Sequence, residues 1–182
     1  MRIISGKARG TKLYTLEGTN TRPTLDRVKE SIFNIIQNEI EDATVLDLFA
    51  GSGAIGLECL SRGAKRAVLC DKSKEAVQII KRNVEKTHME ECTKIVNTDF
   101  ETCLEKLKTE QFDIIYIDPP YATDYISKSL KKIKELGISK KESTVIIETD
   151  DEQRILKEIG NIEIKIVDKR KYGRATIIFL EI

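Results

Sequence analysis

The 182-residue chain has no tryptophan, only three prolines, one histidine and four cysteines. Those shortages exclude several classes. Cys59, Cys70, Cys92 and Cys103 form no CxxC pair, and with His88 alone beside them they offer no zinc-ligand spacing. The expectation is therefore no metal, and buried, reduced thiols. No run approaches the ~18 apolar residues of a membrane span, and the opening "MRIISGKARG" has no apolar stretch fit for a secretory signal. The expected setting is the cytoplasm, with no membrane partner. There is no internal repeat and no low-complexity linker. With 40% hydrophobic and 34% charged residues, the chain is too apolar for disorder, and its length fits one domain spanning 1–182.

A net charge of +1 names no partner, but its distribution is uneven. Arg2, Lys7, Arg9 and Lys12 precede the first acid, Glu17. Lys165, Lys169, Arg170, Lys171 and Arg174 crowd the other end with only Asp168 among them. Two basic ends can form one anion-binding face, or they can be ordinary solvated side chains.

The first residues read as two short strands, "RIIS" and "KLYTL", joined as a hairpin within an N-terminal extension of residues 1–20. "RPTLDRVKESIFNIIQNEI" then reads as a helix. Pro23 and Thr24 mark its start, and Leu25, Val28, Ile32, Ile35, Ile36 and Ile40 recur at three-and-four spacing. From residue 44 short apolar strands ("TVLDLF", "RAVLCD", "KIVNTD", "FDIIYID", "STVIIET") alternate with helical periodicity. That order predicts an α/β fold with a mostly parallel sheet covered on both faces. The closing "IEIKIVDKR" and "ATIIFLEI" lie too close together for a crossover helix, so they must pair antiparallel. Seven strands are expected, the last antiparallel.

"DLFAGSGAIGLE" carries G-x-G-x-x-G at Gly51, Gly53 and Gly56, after a strand and before a helix. In that context the loop holds a cofactor at the strand ends, and Asp71, ending the next strand, stands where a ribose-binding acid is expected. A dinucleotide and an oxidoreductase would account for this much. Asp47, however, is a poor neighbour for a diphosphate, which needs positive potential. It suits a ligand with an ammonium and a sulfonium group, S-adenosylmethionine (SAM). Asp99 is then placed to accept from the adenine amine. Each acid also has a plainer role as a helix N-cap.

"DIIYIDPPYAT" runs a buried strand into Asp118, Pro119, Pro120 and Tyr121. Two prolines stiffen the turn and remove two donors. If Asp118 and the Pro119 carbonyl accept the two hydrogens of an amine, its nitrogen lone pair is turned towards an electrophile, with Tyr121 stacked on the ring. As an isolated motif, the same stretch could be a rigid turn.

"DPPY" after the fourth strand resembles the amino-group methyltransferase motif, and "DLFAGSG" the SAM-binding motif of the same class. Together with "MRIISGKARGTKL", "RPTLDRVKESIFN" and "YGRATIIFLEI", they resemble the RsmD family along nearly the whole chain. That resemblance implies a Rossmann-like SAM-dependent methyltransferase fold. It also implies methylation of a guanine N2 amine in small-subunit (16S) ribosomal RNA, free or in the small ribosomal subunit, by a monomer. On it, Asp118, Pro119 and Tyr121 match the target-amine motif. Gly51, Gly53, Asp71 and Asp99 match the cofactor site. Arg22, Thr24 and Arg27 match an N-terminal motif near the target nucleotide. The basic terminal segments, with Arg9 and Lys12 in the first, are expected to hold RNA phosphates. The DPPY motif alone serves adenine and cytosine amines equally well. A non-catalytic RNA-binding module would account for the basic ends but not for the pocket.

Overall fold

The computed structural model describes residues 1–16, 23–120, 123–160 and 162–182, with the backbone alone for 23–26. Its centre is a seven-stranded sheet in the order β3-β2-β1-β4-β5-β7-β6. The strands are β1 (Thr44–Asp47), β2 (Arg66–Asp71), β3 (Thr93–Asn97), β4 (Phe112–Ile117), β5 (Ser139–Thr149), β6 (Lys165–Tyr172) and β7 (Ala175–Glu181). β1 to β5 pair in parallel, and β7 runs antiparallel between β5 and β6. This is the expected Rossmann-like arrangement.

Alternation along each strand sorts the apolar residues into two cores. Val45, Ala67, Leu69, Ile114, Tyr116, Ile146, Ile177 and Phe179 face one side, under α1 (Pro23–Ile35), α2 (Ala54–Ser61) and α3 (Lys74–Thr87). Leu46, Val68, Ile115, Ile117, Val145, Ile147, Ile178 and Leu180 face the other, under α4 (Phe100–Lys106), α5 (Tyr125–Leu136) and α6 (Glu152–Ile159). A strand covered on both faces has no solvent side, which is why these strands read as unbroken apolar runs.

Four expectations need adjusting. The N-terminal hairpin is reduced to one antiparallel bridge, Arg2↔Lys12, because its residues bond to the helices behind them as well as to each other. α1 stops at Ile35 instead of Ile40. A short 3-10 turn at Gln37–Glu39 follows, yet Ile36 and Ile40 remain buried, while Ile35 is 37% exposed. The periodicity thus outlasts the helix. β5 starts at Ser139, four residues ahead of the expected run, with a register irregularity where it joins β4. The C-terminal cations meet more acids than Asp168. Lys165 pairs with Glu181 at 2.7 Å, Lys169 pairs with Glu152, and Arg170 pairs with Asp168 at 2.8 Å. Among the described residues no helix is long and apolar enough to cross a membrane.

A buried carboxylate ties the N-terminal segment to this frame. Glu58, on α2, accepts the backbone N–H groups of Ile4 at 2.8 Å and Ser5 at 3.0 Å, the Lys29 ammonium at 3.0 Å and the Arg62 guanidinium at 2.8 Å. Gly6 passes so near α2 that an added Cβ would lie 1.7 Å from the Ser61 carbonyl oxygen, and its φ of +81° also favours glycine. Glu58→Ala would remove an acceptor shared by four buried or half-buried donors, of which Lys29 also donates to the Arg2 carbonyl. The expected cost is about 3–5 kcal/mol, read as a lowered urea midpoint.

Candidate active site

Parallel strands deliver their carboxyl ends to one rim of the sheet, and the loops leaving β1 and β4 open a crevice there. Two cavities occupy it. The larger, of about 660 Å³, is lined by Leu48, Phe49, Gly51, Asp71, Asp99, Phe100, Asp118, Pro119, Pro120 and Tyr125, among others. The smaller, of about 260 Å³, reaches under α1 and includes Thr15, Leu16, Lys29, Asp47, Phe49, Gly51, Tyr116, Asp118 and Glu148. Phe49, Gly51 and Asp118 line both, so Asp118 stands at their junction.

The glycine loop is shaped by carboxylates. Gly51 and Gly53 have φ of +55° and +77°, and Gly53 lies at the left-handed entry to α2. The Gly51 N–H donates to Asp71 Oδ2 at 2.9 Å, the Gly53 N–H to the Ala50 carbonyl at 2.7 Å, and the Gly56 N–H to Asp47 Oδ2 at 3.3 Å. A diphosphate needs such N–H groups free and cationic surroundings. Here it would meet two carboxylates that already hold them. That geometry disfavours a dinucleotide and fits a cofactor that is cationic at its reactive end.

The large cavity suits a nucleoside. Asp71 accepts Gly51 on one oxygen and Ser73 N–H on the other at 2.8 Å, which leaves lone pairs on both. Phe49 and Tyr125 lie parallel with ring centroids 6.2 Å apart, and Phe100 tilts against both at 5.5 and 4.9 Å. Asp99 is the N-cap of α4, accepting the Thr102 N–H at 2.9 Å, and that bond lowers its carboxyl below the usual range. Asp99 stands two residues past the end of β3 and still borders the cavity, so the capping role and the site position coincide.

The small cavity gathers acid. Asp47 ends β1, and Asp118 and Glu148 each follow the last paired residues of β4 and β5, Ile117↔Ile147. All three border the cavity. Burial raises Asp47 to about 7, with the Gly56 N–H opposing and Asp71 adding repulsion. Burial, then Glu148 and Asp47, push Asp118 well above the carboxylate range. Burial raises Glu148 too, against the Tyr116 hydroxyl that donates to its Oε2 at 2.6 Å. Sequence reasoning missed Glu148, Tyr116, Lys29 and the aromatic trio. Glu148 carried a usable signal, since "VIIET" places an acid at the end of a buried strand as "TVLD" and "IIYID" do.

Of the remaining expected residues, Gly53 borders neither cavity. Arg9, Lys12 and Arg27 are exposed. Thr24 lies in the first turn of α1. Arg22 and Tyr121 lie outside the described residues. The Thr123 hydroxyl donates to the Pro120 carbonyl at 2.8 Å, and Arg154 donates to the Thr123 carbonyl at 2.7 Å.

Comparison with known proteins matches residues 1–181 to the model of a family described as Conserved hypothetical protein 95. Ribosomal RNA small subunit methyltransferase D of Escherichia coli K12 is 34% identical over 152 residues, covering 84% of this chain and 76% of that protein. Its namesake in Haemophilus influenzae is 31% identical over 158 residues, covering 86% and 82%. Among solved structures, yhhF of Escherichia coli, assigned as a methyltransferase, superposes with a TM-score of 0.85 at 29% identity, over 100% of this chain and 97% of that one.

Because Asp47 is raised from its unfolded value near 3.8 to about 7, its protonated form favours the fold. That contribution is fully present below pH ~4 and is lost as pH rises through about 7. Asp47→Asn keeps an acceptor for Gly56 and cannot ionise. Denaturation of the ligand-free protein at a series of pH values should therefore show the variant gaining on wild type between pH ~4 and ~7, by an amount on the order of 3–4 kcal/mol. A constant difference would remove Asp47 as the titrating group.

Proposed function

The chain belongs to the family described as Conserved hypothetical protein 95, and on that premise we propose that it methylates the exocyclic N2 amine of a guanine in small-subunit (16S) ribosomal RNA, using S-adenosylmethionine. The observation that carries this reading is the position of Asp118 between a nucleoside-sized cavity and a second, acidic one.

Bound SAM would supply a methyl group from its sulfonium centre, the carbon–sulfur bond breaking and sulfur keeping the electron pair as a neutral thioether. Asp71 would accept the ribose hydroxyls on its remaining lone pairs, Asp99 would stand on the adenine side, and Phe49, Phe100 and Tyr125 would present the aromatic wall, all of them bordering the larger cavity. Asp47 and Gly51 would face the charged end of the cofactor, whose positive charge would bring Asp47 and Asp118 back towards carboxylates. Asp118 Oδ and the Pro119 carbonyl accept the hydrogens of the target amine. Asp118 then receives the proton the nitrogen sheds as its new bond to carbon forms, and Tyr121 stacks on the base. The amine is unreactive in a paired, stacked base, so the nucleotide is turned out into the crevice. Arg9, Lys12, Arg22, Thr24 and Arg27 serve the RNA side. Residues 1–182 act as one domain, a cytoplasmic monomer, on ribosomal RNA either free or in the small subunit.

The test is methyl transfer from labelled SAM to small-subunit ribosomal RNA, followed by nucleoside mass analysis. N2-methylguanosine is the expected product. Methylated adenosine or cytidine would move the target base, and no transfer to free RNA or to the small subunit would overturn the reading. Asp71→Ala removes a charged acceptor and should weaken SAM binding by roughly 1.5–3 kcal/mol, one to two decades, in a folded protein. Unchanged affinity by calorimetry would reject the ribose assignment.

A further inference from the structure

Outside the crevice, one group of side chains has a geometry the fold does not require. Tyr14 is 39% exposed, and two cations of α3 converge on its ring, Arg82 at 4.0 Å and Lys86 at 4.4 Å from the centroid. Arg82 and Lys86 are four residues apart on one helix, a like-charge spacing that costs stability by itself. Elsewhere on this surface the exposed lysines and arginines commonly meet carboxylates, as Lys94 and Arg66 meet Glu110 and Lys132 meets Glu105. Among the described residues no ion pair uses Arg82 or Lys86, although Glu85 lies between them in sequence. The negative ring face holds two adjacent positive charges side by side, without neutralising them.

Asn83, the first of the three residues between them, connects this patch to the crevice. Asn83 is fully buried. Its Oδ1 accepts the Tyr14 N–H at 2.8 Å, and its Nδ2 donates to the carbonyls of Tyr14 and Ser52, both at 2.9 Å. Ser52 belongs to the glycine loop, and the residues after Tyr14, Thr15 and Leu16, line the acidic cavity with Asp118. A ligand lying on Tyr14 would thus be one residue of protein chain, Thr15, from the acidic cavity.

Resting on the methyltransferase reading above, we infer that Tyr14, Arg82 and Lys86 form an RNA-contact surface that grips the phosphates flanking the turned-out nucleotide. The two cations neutralise backbone phosphates, and the Tyr14 ring sets their spacing and offers its exposed part to a sugar or base.

The test is binding of a fluorescent single-stranded RNA, carrying the small-subunit sequence methylated by the wild type, across a salt series. Arg82→Ala/Lys86→Ala should make the slope of log affinity against log salt shallower by about 1.4, at about 0.7 per phosphate contact. Tyr14→Ala should weaken binding at each salt concentration by on the order of 5-fold or more, and Tyr14→Phe, which keeps the ring, should restore it. SAM affinity should be unchanged in all three. If the wild type methylates RNA while the folded double variant keeps the wild-type slope, the patch only pins the N-terminal segment and the inference fails. If the wild type transfers no methyl group to RNA, the reading beneath the inference fails instead.

Discussion

Three carboxylic acids at the carboxyl ends of three neighbouring parallel strands set the terms for this site. Asp47, Asp118 and Glu148 share one face of the sheet because each stands in phase with the residues buried beneath α1 to α3. Asp47 and Glu148 are buried and Asp118 is half-buried, so burial penalises their charged forms, and Glu148 and Asp47 add repulsion at Asp118. Such a cluster is stable when protonated or when a cation joins it. A ligand with positive charge at its reactive end, and a substrate that presents N–H donors, satisfy it. A diphosphate would add to the repulsion.

The same carboxylate chemistry shapes the backbone. Asp47 and Asp71 hold the N–H groups of Gly56 and Gly51, so the acids that face the ligand also set the glycine loop. Behind the loop, Glu58 and Asn83 fasten the N-terminal segment to α2 and α3. That segment supplies Thr15 and Leu16 to the small cavity, so an extension outside the sheet borders the candidate site. Buried polar networks of this kind lose more when partly broken than when wholly absent, because every stranded donor has been removed from water.

Much of this was legible in the chain. The strands β1, β2, β4 and β7 are carried by apolar runs, and the spacing between the last two strands left no room for a crossover. The glycine loop and DPPY located the crevice, and the acids at successive strand ends suggested its charge. Other features left weaker traces. Ile36 and Ile40 keep helical spacing although the backbone tightens after Ile35, because burial depends on the face and not on the hydrogen-bond pattern. The opening of β5, "SKKE", is polar and mostly half-exposed or exposed, so no alternation announces it. The aromatic wall comes from Phe49, Phe100 and Tyr125, which belong to three different segments and meet only in the fold. Glu58 and Asn83 resemble ordinary helix-surface residues until their burial is known.

If methyl transfer takes place where the two cavities meet, the barrier should depend on Asp118 far more than cofactor binding does. Single-turnover methyl transfer, with SAM and ribosomal RNA both saturating, tests this most directly in Asp118→Ala and Asp118→Asn. Loss of a preorganised acceptor should slow Asp118→Ala by on the order of 10²–10³, about 3–4 kcal/mol, while Asp118→Asn, which keeps an accepting oxygen, retains a measurable fraction. SAM affinity should fall far less than the rate in both, because Asp118 borders the cofactor cavity without supplying its ribose or adenine contacts. Near-wild-type turnover in Asp118→Ala would contradict the account and leave the DPPY stretch as a structural turn.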